Sequence, residues 1–166
     1  MRKGTAALGS ALFLIAAPGV VAGVIPWAIT GWRMEDSLFW GSRALGGAMI
    51  AAGAAFLLHA FARFAIEGLG TPAPIAPTER LVVGGIYRHV RNPMYLAVGS
   101  MIAGQALLLG QTELLGYLLA FAALSLGFVH LYEEPTLQRQ HGADYDAYRH
   151  AVPRWIPRLR PWDADR

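Results

Sequence analysis

The sequence predicts an all-α integral membrane protein of about four transmembrane helices, with a C-terminal helical hairpin and a cytoplasmic amphipathic tail. Two observations lead to this prediction. Of the 166 residues, 55% are hydrophobic and only 15% are charged, whereas soluble domains carry about 25% charged residues. Four segments also lack charged residues over about the 20 residues that an α-helix needs to cross a bilayer core of about 30 Å.

The four uncharged segments are residues 5–30, 44–62, 92–112 and 114–132. The first contains Pro18 and Pro26, and its apolar run exceeds the roughly 7–15 residues of a signal-peptide core, so we interpret it as a membrane helix. A membrane helix tolerates such prolines when neighbouring helices bind the carbonyls that they free. Gly and Ala are dense in the second segment, which predicts close helix packing.

The third and fourth segments are separated only by the short stretch around residues 110–113, which predicts a tight antiparallel hairpin. We therefore interpret the chain as one membrane domain with two parts. Residues 1–70 form an N-terminal two-helix part, and residues 71–166 contain the hairpin and the tail.

Positively charged residues predict the orientation, because Lys and Arg are retained on the cytoplasmic side of a membrane. Twelve of the 14 lie before the first segment, between the second and third, or after the fourth, and only Arg33 and Arg43 lie on the other side. Both termini and the loop at about residues 64–91 should therefore face the cytoplasm. Because the arginines flank apolar runs, they indicate contact with an anionic membrane surface rather than with nucleic acid.

The loop before the third helix is the first of three unusual polar segments on the predicted cytoplasmic side. Gly84 and Gly85 permit close approach of the backbone to a ligand. Asn92 is a candidate N-cap, and Pro93 suits the first turn of a helix, whose free amides can bind an anion. An ordinary interfacial turn, with arginines touching lipid phosphate, explains this segment equally well.

The end of the fourth helix and the tail are the other two segments. Adjacent carboxylates at Glu133 and Glu134 are unfavourable at a membrane helix unless they are hydrated or paired with cations. They can hold the ammonium or ribose hydroxyls of a cofactor, or they can simply end the helix with Pro135 at the water boundary. The tail, with Tyr145, Tyr148 and a Pro-rich stretch, predicts a short amphipathic helix and an extended strap that anchors the chain or covers a site.

Several common chemistries are excluded. The chain has no cysteine, so disulfides, thiolate metal sites and cysteine nucleophiles are ruled out. It has no P-loop, no Gly-x-Ser-x-Gly and no Gly-x-Gly-x-x-Gly motif. Neither His59 nor His130 has a second histidine at metal-ligand spacing along its helix, so we predict no metal site.

Together, the three polar segments resemble the cofactor-binding half of the isoprenylcysteine carboxyl methyltransferases and the related phospholipid N-methyltransferases. In that superfamily, Leu-Val-x-x-Gly-x-Tyr-x-x-x-Arg-His-Pro-x-Tyr opens a helical hairpin, and a Glu-Glu pair, Tyr-x-x-Tyr and Val-Pro follow. The resemblance covers about residues 78–160. The matching residues, in order, are Leu81, Val82, Gly85, Tyr87, Arg91, Pro93, Tyr95, Glu133, Glu134, Tyr145, Tyr148, Val152 and Pro153.

The resemblance implies a methyltransferase that moves a methyl group from S-adenosyl-L-methionine to a lipid-like or membrane-embedded acceptor. Arg91 would lie near the acceptor and orient a carboxylate through a bidentate contact, whereas His89 or Glu134 would take the proton of an amine. The loop and the acid pair must then meet in one cytoplasm-facing cavity. The implied cofactor-binding residues are Glu79, Arg80, Leu81, Val82, Tyr87, Asn92, Pro93, Met94, Tyr95 and Glu133.

The acceptor stays open between an isoprenylcysteine carboxylate and a phospholipid amine. The carboxyl methyltransferases have histidine where Glu79 and Asn92 stand, and a substrate-side arginine where Val129 stands. Asn-Pro-x-Tyr together with Glu-Glu-Pro is closer to the phospholipid-methylating branch. Two other functions are also open: an NADPH-dependent membrane reductase of the sterol-reductase type, whose hairpin is similar, and a non-catalytic membrane scaffold.

Overall fold

A computed structural model describes residues 9, 11–35, 39–68 and 80–163. Within these ranges the only regular secondary structure is helical, which confirms the predicted all-α fold. The helices are α1 (Ala11–Thr30), α2 (Trp40–Arg63), a short 3-10 helix (Gly85–Arg88), α3 (Pro93–Leu109), α4 (Glu113–Phe128) and α5 (Glu134–Ala151). Wider π-type turns continue α2 over Phe64–Gly68 and join α4 to α5 over Val129–Glu133.

Among the described residues, three helical stretches are long and apolar enough to cross a membrane: α1, α2 and the continuous stretch of α4 and α5. Helix α3 is apolar but has 17 residues, which at 1.5 Å per residue extend about 25 Å. Gly110, with φ of 78°, ends α3 and opens the predicted tight hairpin to α4. Apolar side chains lie on the outer surface, as at Leu124, which is 74% exposed. These features confirm the predicted integral membrane architecture.

Helices α2 and α3 pack through glycine, as the dense small residues predict. A Cβ atom on Gly46 would lie 2.5 Å from the carbonyl oxygen of Gly104, and one on Gly53 would lie 2.7 Å from that of Ala97. Both distances are far below van der Waals contact. The two backbones therefore meet directly, which is how membrane helices gain packing energy when lipid removes the hydrophobic drive for association.

Pro26 of α1 frees a backbone carbonyl that a neighbouring helix binds, as expected. Pro26 has no N–H to donate to the carbonyl of Ala22, four residues earlier. The Gln105 side chain of α3 donates to that oxygen instead, at 2.7 Å, and the Tyr117 hydroxyl of α4 donates to the Val21 oxygen at 2.8 Å. These two hydrogen bonds hold α1 against the hairpin.

The helix at the acid pair does not end there, so the interpretation that Pro135 stops it at the water boundary is wrong. Pro135 lies in the first turn of α5, inside the helical stretch that runs continuously from Glu113 to Ala151. Helix α5 bends at Gly142, whose φ and ψ are 48° and −118°, and continues to Ala151.

The chain after α5 forms the extended strap that was expected, which we define as residues 152–163. Its backbone runs along the loop before α3. The Pro153 oxygen accepts from Arg91 N at 3.0 Å, and Arg158 N donates to the His89 oxygen at 2.9 Å. The strap therefore brings its own side chains next to the loop and the acid pair. The predicted boundary between the two parts, at residues 70 and 71, lies outside the described residues.

Candidate functional site

A cavity of about 430 Å³ lies where α1, the loop before α3 and the junction of α4 and α5 meet. Its size falls within the roughly 300–1,000 Å³ of small-molecule sites. One wall is apolar and comes from α1, α2 and α4, with Phe13, Phe61 and Phe121 among its residues. The other wall is polar and includes Arg91, Asn92, Tyr95, Glu133, Glu134, Gln140 and Tyr145.

The Gly84–Gly85 pair fixes the loop by packing on the end of α2. Gly84 N donates to Glu67 Oε2 at 3.0 Å, and Glu67 also pairs with Arg63. A Cβ atom on Gly84 would collide with both side chains, and Gly85 has a left-handed φ of 58°. The expectation that these glycines let the backbone approach a ligand is therefore wrong, because the close approach is to α2 and neither glycine lines the cavity.

Asn92 occupies the N-cap position of α3, but its side chain does not cap the helix. Asn92 Nδ2 instead donates to the carbonyl oxygen of Arg154 at 3.2 Å. The predicted capping bond is wrong because the strap offers the amide a different partner. Pro93 begins α3 as predicted, and the first-turn amides that follow have no carbonyl partner within the helix.

Tyr87 closes the cavity beneath the loop. It is buried, and its carbonyl oxygen accepts a hydrogen bond from the Tyr148 hydroxyl of α5 at 2.8 Å. Burial raises the pKa of the Tyr87 phenol well above its ordinary value, and the neighbouring Tyr148 and Glu133 raise it further. The phenol therefore stays neutral at physiological pH and forms part of the wall without adding charge.

Glu134 is bound by two arginines from different segments. Arg91 Nη1 donates to Glu134 Oε1 at 2.7 Å. Arg154 of the strap binds both carboxylate oxygens, with Nε to Oε1 at 2.8 Å and Nη2 to Oε2 at 2.6 Å. The side chains of Arg91 and Glu134 are only 12% and 15% exposed. Such a two-point guanidinium contact fixes orientation as well as charge.

Two polar groups at this wall are left with capacity for a ligand. Glu133 Oε2 accepts from the Tyr95 hydroxyl at 2.9 Å, and within the described ranges Glu133 forms no ion pair. Arg91 Nε is buried and has no hydrogen-bond partner among the described residues. Because buried polar groups are nearly always paired, both groups are suited to a bound molecule.

The structure brings most of the predicted site residues to this one cavity, so the loop and the acid pair do meet. Arg80 is exposed and does not line the cavity, and Glu79 lies outside the described residues. The residues from the sequence prediction that line it are Leu81, Val82, Tyr87, Arg91, Asn92, Pro93, Met94, Tyr95, Glu133 and Glu134.

His89 is on the other side of the loop. Its Nδ1 is hydrogen-bonded to the Arg158 carbonyl oxygen at 2.8 Å, so this nitrogen carries a proton and donates. The ring lines a second cavity of about 470 Å³, between α2 and α3, that includes neither Arg91 nor Glu134. Among the residues that the structure describes, no cluster of three or more His, Asp or Glu side chains is placed to hold a metal ion.

Sequence reasoning missed Arg154, which reaches Glu134 from 20 positions along the chain. An arginine in a Pro-rich tail at a membrane surface is typical of an anchor, and only the path of the strap reveals the contact. It also missed the aromatic residues of α1, α2 and α4, because apolar residues in membrane helices give no signal that separates a cavity wall from a lipid-facing surface.

Comparison with known families gives one match. A family model described as phospholipid methyltransferase matches residues 42–144. These residues include most of α2, the loop, the hairpin and the acid pair, but not the strap. Comparisons with curated proteins and with solved structures found no match.

Proposed function

The chain belongs to the phospholipid methyltransferase family, and from this premise we propose that it transfers a methyl group from S-adenosyl-L-methionine to a lipid held in the membrane. Membership confirms the superfamily that the motifs resembled, and this is a family of membrane methyltransferases. We propose, beyond the family, which molecule donates the methyl group, which class of molecule accepts it and which residues bind them.

The observation that carries the proposal is the cavity with two unlike walls. Arg91, Glu133 and the first turn of α3 provide charge and hydrogen bonds on one side. Phe13, Phe61 and other apolar residues of the helices line the rest of the cavity. A polar donor and an acceptor with a long apolar body fit such a site, because each meets a wall of its own polarity.

The polar groups of the cavity fit S-adenosyl-L-methionine. We assign its ammonium or ribose hydroxyls to Glu133, whose carboxylate pairs with no cation among the described residues. Its carboxylate suits the amides that open α3, where the helix dipole favours an anion. Leu81, Val82 and Met94 offer apolar contacts beside them.

Arg91 is assigned to the acceptor. Its Nε has no partner among the described residues, and its position in the cavity suits an anionic group, such as the phosphate of a phospholipid or a carboxylate. Glu134 already accepts hydrogen bonds from two guanidinium groups, so both of its carboxylate oxygens are occupied. We therefore assign Glu134 to holding Arg91, and we give His89 no role in the transfer because it lies outside the cavity.

When bound, S-adenosyl-L-methionine supplies an electrophilic methyl group on a sulfonium centre. The residues of the chain hold donor and acceptor in line and keep water out, and orientation of this kind can contribute about 7–11 kcal/mol. A dedicated base is not required for this role. A carboxylate acceptor has no proton to lose, whereas an amine acceptor would react in its neutral form, with S-adenosylhomocysteine leaving and the methylated ammonium later giving its proton to water.

We further propose that the cavity and both termini face the cytoplasm. Twelve of the 14 Lys and Arg residues lie on that predicted side. The soluble donor would then enter from the cytoplasm, and the acceptor would enter sideways between helices. In this arrangement residues 71–166 bind the donor, and α1 and α2, from residues 1–70, complete the apolar wall.

Binding of S-adenosylhomocysteine, measured by calorimetry on the purified protein in detergent, tests the proposal. We expect binding by the parent chain, and loss of binding by Glu133→Gln, which removes the charge but keeps the shape. Glu113→Gln is the matched control, because Glu113 is an exposed carboxylate at the opposite end of the same helical stretch.

Absence of binding by the parent would remove the methyltransferase proposal. Thermal stabilisation by NADPH would then favour a reductase. Failure to bind either cofactor, together with a stable partner in a pull-down, would favour a scaffold.

A further inference from the structure

Arg154 lies in the strap, outside the residues that match the family, and it does not line the cavity. We infer that Arg154 is a positioning residue, which occupies Glu134 so that Arg91 keeps N–H groups available for the anionic group of the acceptor. This inference rests on the proposed function. It assigns to the strap a task in the reaction beyond anchoring the chain.

The geometry of the shared carboxylate carries the inference. Arg154 takes both oxygens of Glu134, at 2.8 Å and 2.6 Å, whereas Arg91 reaches only Oε1 and uses one nitrogen, Nη1. The same Nη1 also donates to the Tyr145 hydroxyl at 3.1 Å. One end of the Arg91 guanidinium is thereby fixed between two acceptors, while its buried Nε stays without a partner among the described residues.

Removal of Arg154 would change what Arg91 does. Glu134 would be a nearly buried carboxylate with one cation left, and a carboxylate and a guanidinium favour a two-point contact. Arg91 would then turn more of its N–H groups towards Glu134 and offer fewer to the acceptor. Arg154 therefore acts on the acceptor through Glu134 and Arg91, without touching it.

The strap is held in register for this task. The Arg154 carbonyl oxygen accepts from Asn92 Nδ2 at 3.2 Å, and the Pro153 oxygen accepts from Arg91 N at 3.0 Å. Trp155 packs edge-on against Tyr95, with ring centroids 6.2 Å apart, and Tyr95 in turn donates to Glu133. These contacts place the Arg154 guanidinium over Glu134, and the side chain remains 37% exposed on its outer side.

Kinetics of Arg154→Gln test the inference, with labelled S-adenosyl-L-methionine as donor and phosphatidylethanolamine in mixed micelles as acceptor. We expect kcat/KM for the lipid to fall by about 10- to 100-fold, as when a reacting group is displaced by a change far from it. The affinity for S-adenosylhomocysteine should stay close to that of the parent, because Glu133 and the start of α3 are unchanged.

Arg158→Gln is the matched control, since Arg158 lies in the same strap but donates to the Ala151 carbonyl oxygen and not to Glu134. It should keep kcat/KM close to the parent value. An equal loss in both variants would mean that general loosening of the strap, rather than the contact with Glu134, lowers the activity, and it would overturn the inference.

A double-mutant cycle with Glu134→Gln separates the remaining outcomes. If Arg154 acts through Glu134, then Arg154→Gln should have little further effect in the Glu134→Gln background; independent, multiplying losses would contradict the inference. Arg154→Lys keeps the charge but lacks the planar fork of the guanidinium, so it should give intermediate activity. It replaces Arg154→Gln if the Arg154→Gln variant is not recovered folded.

Failure of the inference and failure of the proposed function give different results. A parent chain that neither binds S-adenosylhomocysteine nor methylates lipid contradicts the proposed function. A parent chain that does both, beside an Arg154→Gln variant with unchanged kcat/KM, contradicts only the role of Arg154.

Discussion

Substitution of Gly46 by alanine should test the packing of α2 against α3 separately from the other properties of the membrane domain. The added Cβ atom would lie 2.5 Å from the Gly104 carbonyl oxygen and 2.6 Å from Leu108 N. Both are backbone atoms of a helix, so neither can rotate away as a side chain does. Either the helices separate or the contact stays strained.

Gly47→Ala is an internal control of the same chemistry one position along. A Cβ atom on Gly47 would meet nothing within 4 Å. Both substitutions gain the same helix propensity, which cancels in the comparison. The remaining difference is the cost of overpacking at Gly46, so the two variants should differ in free energy of unfolding by about 1–3 kcal/mol.

Unfolding in detergent, followed by circular dichroism during denaturant titration, measures this difference. If the Gly46→Ala variant is as stable as the Gly47→Ala variant, the direct backbone contact between α2 and α3 is refuted. Because Gly46 faces the end of α3 remote from Pro93, where α3 lines the cavity, the folded fraction of the variant should still bind S-adenosylhomocysteine.

Two other substitutions test the surroundings of the cavity. Gln105→Leu should lower the free energy of unfolding by about 1–3 kcal/mol, because the Ala22 carbonyl that Pro26 frees loses its buried donor. An unchanged denaturant midpoint of unfolding would show that the carbonyl does not depend on Gln105. Arg91→Lys should lower methyl transfer to lipid while S-adenosylhomocysteine still binds, because a compact ammonium lacks the planar fork that lets the guanidinium face Glu134, Tyr145 and an acceptor from separate nitrogens. Equal loss of binding and transfer would instead place Arg91 at the donor.

The fold could be predicted from the sequence because lipid imposes simple requirements. A stretch of about 20 apolar residues, a short polar turn and clustered arginines each have one main explanation in a membrane protein. The prediction of local structure failed where one sequence pattern has two structural explanations. A proline such as Pro135 is typical of the residues after a helix and also of a first helical turn. Only the path from α4 to α5 shows that the helical stretch continues through it here.

The structure brings to the cavity the predicted residues that lie within the motif, such as Arg91 and Tyr95. The sequence indicated less where a tertiary contact defines what a residue touches. Gly84 permits close approach, but the sequence does not tell whether a ligand or the side chain of Glu67 approaches it. Arg154 depends on a strap that returns along the loop, and nothing in its neighbours along the chain indicates Glu134 as its partner.

The most direct test of the central claim is transfer of labelled methyl groups in membranes that contain the chain. After incubation with methyl-labelled S-adenosyl-L-methionine, lipids are extracted and separated from protein. We expect labelled methyl groups in the lipid fraction for the parent and for Glu113→Gln, and loss of this label for Glu133→Gln. Lipid labelling no higher than in membranes without the chain, or undiminished labelling with Glu133→Gln, would contradict methyl transfer to lipid by this site.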